Sequence, residues 1–230
     1  SLIFAVSDGI LGYLLYLYWN GQKQYDELPQ PKGSGLADLT QDWATLRSIN
    51  QDIVGWVLIP NTPINYPIVQ TTNNDTYLYK SFGGDVGGLV TFGSIFLDYK
   101  NSPDFKDEMN TLYGHNMNNG SMFSYLSELG DQQKYDAITE IFVLTPAKIV
   151  MTKFGTAQAR TDYIQDKINR SIVQTPSSLP PLLYMSHIFM LSTCDNMTSN
   201  DRYALFGYVD ESTIPGTVGT SQVLQGMHYR

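Results

Sequence analysis

The protein's only cysteine, Cys194, follows the apolar run Ile188-Phe189-Met190-Leu191 and the pair Ser192-Thr193. That run has the length and composition of a buried strand. A polar loop from Asp195 to Asp201 then leads to Arg202, which opens a second strand-like run, Tyr203 to Val209. A thiol leaving one strand and a guanidinium starting the next would face each other across a hairpin, a candidate nucleophile beside a fixed positive charge. Against this stands the ordinary reading. A lone cysteine is commonly a small buried hydrophobe, and an arginine at a strand start is commonly solvated. Nucleophilic chemistry therefore requires a histidine from elsewhere in the chain.

The chain has 3 histidines. His187 opens the strand that ends at Cys194, and seven residues of straight strand separate the two by roughly 20 Å or more. His228 sits in a polar stretch near the C-terminus. His115 remains, at the exit of the strand-like Leu112-Tyr113-Gly114 and before the turn Asn118-Asn119-Gly120. Strand exits into turns are where functional side chains gather. A metal site is not expected, because three scattered histidines and one cysteine lack any ligand spacing.

The elements that must position these groups read as mainly β. From Leu36, the residues Leu36, Leu39, Trp43, Leu46 and Ile49 recur at helical spacing and predict an amphipathic helix. Two β-rich runs between Val54 and Val69 flank the turn Pro60-Asn61-Thr62-Pro63. Ser94 to Leu97 gives a further strand, and Ile141–Leu144 and Ile149–Phe154 two more. Ser121 is placed to cap a helix running to Leu129. Ile164, Ile168 and Ile172, four apart, predict a helix over Thr161–Val173. Short strands punctuated by Gly and Pro point to a barrel or sandwich.

Composition excludes several functions. With 42% hydrophobic and 16% charged residues the chain is globular rather than disordered. A net charge of −8 excludes the basic stripe of a nucleic-acid binder and suits an anionic lipid surface poorly. One cysteine cannot form an internal disulfide, which leaves the compartment open.

Leu2 to Trp19 is nearly all apolar and just long enough to span a bilayer. Tyr13, Tyr16, Tyr18 and Trp19 crowd its end like an interfacial belt. Asp8 opposes that reading, at roughly 2.5–3.5 kcal/mol on insertion scales. A membrane anchor or its remnant is the expectation, with an apolar helix folded against the domain or a neighbouring chain as its rival. Asn20 to Gly35, with two prolines and a Gly-Ser-Gly, reads as a linker.

Several separated motifs together resemble one family. Leu112 to Phe123 (LYGHNMNNGSMF), Leu191 to Cys194 (LSTC) and Arg202 resemble the class B sortases. So do Gly55-Trp56 through Asn61-Thr62, Ile64 to Gln70 (INYPIVQ), and Gly93 to Tyr99 (GSIFLDY). The motifs occur in the family's order and cover about Leu36 to Val209. The resemblance implies an eight-stranded sortase-type β-barrel with N-terminal helices and a helix in the connection before the cysteine strand. It implies an organisation of membrane anchor or apolar helix (1–22), linker (23–35), catalytic domain (36–215) and C-terminal tail (216–230).

The implied activity is cysteine transpeptidation without a cofactor, on the extracytoplasmic face of a Gram-positive cell membrane. A surface protein would be cleaved at an Asn-Pro-x-Thr-type sorting motif and joined to a peptidoglycan amine. The partners would be the sorting-motif protein, that amine and the cytoplasmic membrane, with no nucleic acid. Cys194 would be the nucleophile, His115 the acid and base, and Arg202 a charged donor to the oxyanion or to the substrate backbone. Alignment with the family sets Asn74 and Leu78 near the motif's Asn-Pro end, Tyr163 and Ile164 on the wall of the helix ahead of Cys194, and Ser192 beside the nucleophile. Three rivals stand beside this: a sortase joining pilin subunits through a lysine amine, a simple thiol hydrolase, and a non-enzymatic wall-associated module. A papain-like peptidase would have its cysteine before its histidine, and here His115 comes first.

Overall fold

The computed structural model describes residues 2–33, 39–84, 92–138, 141–146, 165–166, 168–174, 185–194, 202–210 and 221–229. Two apolar runs around a tight turn begin the sheet. β1 (Ile53–Leu58) and β2 (Asn65–Val69) pair antiparallel, and Asn61 takes a left-handed φ of 62° in the turn between them. Trp56 on β1 is fully buried, and its indole N–H donates to Asn65 Oδ1 at 2.6 Å, so the core's largest ring leaves no polar atom unsatisfied.

β3 (Ile95–Leu97) lies parallel to β2, and β4 (Met109–Tyr113) pairs antiparallel with β3. The remaining strands among the described residues are β5 (Ile141–Leu144), β6 (Met185–Cys194), β7 (Arg202–Asp210) and β8 (Ser221–Tyr229). The strand order β1-β2-β3-β4-β6-β7-β8-β5 closes into a barrel, because β5 pairs with both β1 and β8. β8 falls within the stretch 216–230 expected as a tail.

The sheet's inner face holds Val57, Ile68, Ile95, Leu112, Leu191 and Leu205, all fully buried. At about 25 cal/mol per Å² of apolar surface, this shared burial is the main force holding strands that are distant in sequence.

α1 (Leu2–Asp26) is a 25-residue helix, and it continues past Trp19 into the segment read as linker. Among the described residues no helix is long and apolar enough to cross a membrane. Asp8 interrupts the apolar run, and Asn20, Gln22, Lys23 and Gln24 follow it. The end of α1 is instead built into the domain. Tyr25 is buried, and its hydroxyl donates to the Gly93 carbonyl at 2.5 Å and accepts from the Phe82 N–H at 3.1 Å. Gly21 sits so close to Phe92 that an added Cβ would lie 2.2 Å from its ring.

Of the helix expected from Leu36, residues 36–38 lie outside the described residues, residues 39–42 are not helical, and α2 spans Trp43–Ile49. Asp42 caps it, accepting from the Thr45 N–H at 3.0 Å, while Thr40 is already committed to a backbone bridge with Lys32. α3 (Thr76–Tyr79) is a single turn, held at its start by Asn73 Oδ1, which accepts from the N–H groups of Asp75 and Thr76. The helix predicted from Ser121 to Leu129 is a shorter 3-10 turn, Ser124–Glu128. Ser121 spends its hydroxyl on Asn119 Oδ1 rather than on a helix cap. α4 (Gln132–Asp136) follows, capped by Asp131.

Of the predicted helix Thr161–Val173, residues 165–166 and 168–169 are helical and most of the remainder lies outside the described residues. The predicted strand Ile149–Phe154 lies outside them altogether.

Candidate active site

Strand direction explains why the site forms at one end of the barrel. β4 and β6 are parallel neighbours, so their C-terminal ends meet at the same edge, and antiparallel β7 starts there. In register, Phe96 pairs with Tyr113, Tyr113 with Ser192, and Ser192 with Ala204. Two residues further along β6, Cys194 pairs directly with Arg202. The hairpin partnership read from the sequence is therefore the observed register. His187 also lies on β6, toward its opposite end.

His115 lies two residues beyond β4. The Gly114 N–H donates to the Ser192 carbonyl at 3.2 Å, extending the ladder one step past the strand, and the Phe123 N–H donates to the His115 carbonyl at 2.9 Å. The imidazole is set by its own contacts. Nε2 lies 2.6 Å from the Leu78 carbonyl oxygen at the end of α3. A carbonyl can only accept, so Nε2 carries the proton and Nδ1 is the basic nitrogen.

Gly93 packs against the other side of this arrangement, with a φ of +58°. A Cβ there would meet the Tyr77 and Leu78 carbonyls at 2.7 and 2.8 Å and His115 Cδ2 at 2.9 Å. Only glycine allows the chain so close to both the histidine and the carbonyl that holds it.

A cavity of about 210 Å³ opens here, lined by Asn74, Asp75, Leu78, Phe96, Tyr113, Gly114, His115, Ser192, Thr193 and Arg202. The sequence-predicted residues His115, Arg202, Asn74, Leu78 and Ser192 thus come together at one opening. Tyr163 and Ile164 lie outside the described residues. A larger cavity of about 520 Å³, beside Gln22, Asp26 and Asn65, shares no lining residue with it. Volume is the weaker guide here, because the larger space has neither the histidine nor the β6–β7 hairpin at its wall. Among the described residues no group of His, Cys, Asp and Glu could hold a metal ion.

Tyr113 is a lining residue that the sequence reading did not single out. Its hydroxyl donates to Asp98 Oδ2 at 3.0 Å. Burial, then the Asp98 hydrogen bond and charge, push its phenol up to about 12, with Arg202 pulling the other way. The signal for Tyr113 was available: it lies two residues before His115, and strand side chains two apart share a face.

With the geometry in hand, comparison with known proteins is direct. A family model for the sortase domain matches residues 57–210. The chain belongs to the sortase family, and its relatives place it in class B. It is 34% identical over 167 residues to sortase B of Listeria monocytogenes, an alignment covering 65% of this chain and 65% of that protein. The chain thus spans just under two thirds of that relative's length. It is 25% identical over 225 residues to sortase B of Staphylococcus aureus, covering 86% of this chain and 89% of that one. Among solved structures, sortase B from B. anthracis superposes with a TM-score of 0.60 at 24% identity, covering 96% of this chain and 100% of that one.

Proposed function

We propose that this protein is a cysteine transpeptidase that cleaves an Asn-Pro-x-Thr-type sorting motif and transfers the threonine carboxyl to a cell-wall amine. The observation that carries the reading is the pairing of Cys194 with Arg202 across β6 and β7, beside a cavity lined by His115. In this reading the Cys194 thiolate attacks the threonine carbonyl carbon, and the charge passes to the carbonyl oxygen. Arg202 stabilises that oxyanion with a permanently charged donor, a type of contact worth about 2.7–4 kcal/mol of barrier. His115, protonated at both nitrogens at this stage, gives its Nδ1 proton to the departing amine as the C–N bond breaks, leaving a thioester. The incoming amine then attacks the thioester, its proton passes back to Nδ1, and the thiolate departs.

Asn74, Leu78 and Ser192 are the substrate-contact residues of this reading within the described cavity, and family alignment assigns Tyr163 and Ile164, outside the described residues, to the wall of the helix ahead of Cys194. The architecture that belongs to it is an eight-stranded barrel whose last strand, β8, lies beyond the expected domain end at residue 215, with a helix ahead of the cysteine strand. The extracytoplasmic face of a Gram-positive cell is the setting. The family membership and the shared fold support each of these assignments.

The test is a sorting peptide incubated with and without a glycine-based amine. A transpeptidase yields the ligated peptide when amine is present. Acid product alone, unchanged by amine, would make the protein a hydrolase. No cleavage of any Asn-Pro-x-Thr peptide in a library would remove the motif assignment.

A further inference from the structure

Asp98, directly after β3, does not line the cavity, yet two residues that do are fixed by the same atom of its carboxylate. Oδ2 accepts from Tyr113 Oη at 3.0 Å and from Asn74 Nδ2 at 3.1 Å. The rest of Asp98 is equally committed. Oδ1 accepts from the Lys100 N–H at 2.9 Å, the backbone N–H donates to the Thr111 carbonyl at 2.9 Å, and the backbone carbonyl accepts from Gln70 Nε2 at 2.8 Å. The carboxylate is thus held at both oxygens and its backbone at both ends.

This decides what the cavity wall can offer. Asn74 Oδ1 accepts from the Tyr99 N–H at 2.9 Å, so the amide cannot flip without losing that bond and turning its oxygen against the carboxylate. Asn74 therefore keeps its nitrogen toward Asp98 and has a second amide N–H to donate. Tyr113 is fixed in the opposite sense. Its single hydroxyl proton goes to Asp98, so toward the cavity its oxygen can only accept. Phe96 packs on its ring at 5.4 Å between centroids and limits the phenol's movement.

We infer that Asp98 is a positioning residue for peptide recognition: one carboxylate oxygen sets Asn74 as a donor and Tyr113 as an acceptor, a pair complementary to an amide of the sorting peptide. A substrate carbonyl meets Asn74, and a substrate N–H meets Tyr113. The inference rests on the transpeptidase reading for the identity of the peptide, but the polarity of the wall follows from the hydrogen bonds alone.

Asp98→Asn is the test, with two readouts. The KM for the sorting peptide should rise roughly tenfold, the size of one lost polar contact, with kcat changed less than threefold. In a background carrying Asn74→Ala and Tyr113→Phe, Asp98→Asn should add almost nothing, because its targets are gone. A purely structural role predicts a lower melting temperature with an unchanged KM, or additive losses in the combined variant, and either overturns the inference.

The second readout needs no activity. In protein labelled with 13C at tyrosine Cζ, the Tyr113 resonance, assigned through Tyr113→Phe, should titrate at lower pH in Asp98→Asn than in the wild type. An unshifted titration overturns the inference whether or not the wild type cleaves peptide. Absent cleavage with a shifted titration would instead count against the transpeptidase reading. Should Asp98→Asn fail to fold, Asp98→Glu serves, keeping the charge while displacing the oxygens. It should raise KM, and a wild-type KM would overturn the inference.

Discussion

Replacing Gly93 with alanine tests how the histidine is held, through a residue that takes no part in the chemistry. The backbone there has φ +58°, and the added methyl would lie 2.7 Å from the Tyr77 carbonyl oxygen, 2.8 Å from that of Leu78 and 2.9 Å from His115 Cδ2. A non-glycine residue in the left-handed region costs about 1–2 kcal/mol. Overpacking adds about 1–3 kcal/mol, and two of the three contacts are backbone atoms that cannot rotate away. The sum, roughly 2–5 kcal/mol, lowers the melting temperature by about 4–20 °C for a chain of this size. Activity should fall further than stability, because relieving the clash moves either the imidazole or the Leu78 carbonyl 2.6 Å from it. A displacement of about 1 Å at a reacting group can cost a hundredfold. The assay is a thermal melt paired with sorting-peptide cleavage, run well below the variant's melting temperature. A variant that melts within a degree of the wild type and cleaves at the wild-type rate would refute the packing argument.

Three further outcomes follow from the same geometry. Tyr25→Phe leaves the buried Gly93 carbonyl and Phe82 N–H without their partner, so it should cost about 1–3 kcal/mol, read as a lower melting temperature. Burial pushes Tyr25 up to about 12 from the usual 10; the folded state therefore holds that proton more tightly, and the stability it contributes is full below pH 10 and lost between about pH 10 and 12. Denaturant titrations at pH 9 and 11.5 should show most of that loss, roughly 2 kcal/mol from this group, and Tyr25→Phe should reduce it. Arg202→Lys keeps the charge but loses the planar fork, so kcat should fall nearly as far as in Arg202→Ala, with KM changing less; an effect on KM alone would assign Arg202 to substrate clamping instead.

The parts of the fold written in local alternation were legible from the sequence. Val54 to Val69 showed its hairpin, and the apolar run ending at Cys194 showed both its strand and its antiparallel partner beginning at Arg202. His115 was selected by the distance that excluded His187. Elements decided by tertiary contacts were not legible. α1 runs on through a polar, glycine-containing stretch because Tyr25 reaches Gly93 and Phe82, 68 and 57 residues away in sequence. Helical spacing from Leu36 overstated α2, since apolar periodicity says nothing of the bridge that takes Thr40 or of the cap at Asp42. Asp98 was quoted only as part of a family motif, because its importance lies in a hydrogen bond to Asn74, 24 residues earlier, that no pattern announces.

Intact-protein mass spectrometry tests the central claim most directly. The wild-type protein incubated with an Asn-Pro-x-Thr peptide, without amine, should gain the mass of the peptide's N-terminal fragment through threonine. Adding a glycine amine should discharge that adduct into ligated product, and Cys194→Ala should show neither step. A Cys194→Ala protein that still carries the fragment, or that still forms ligated product, would contradict the account.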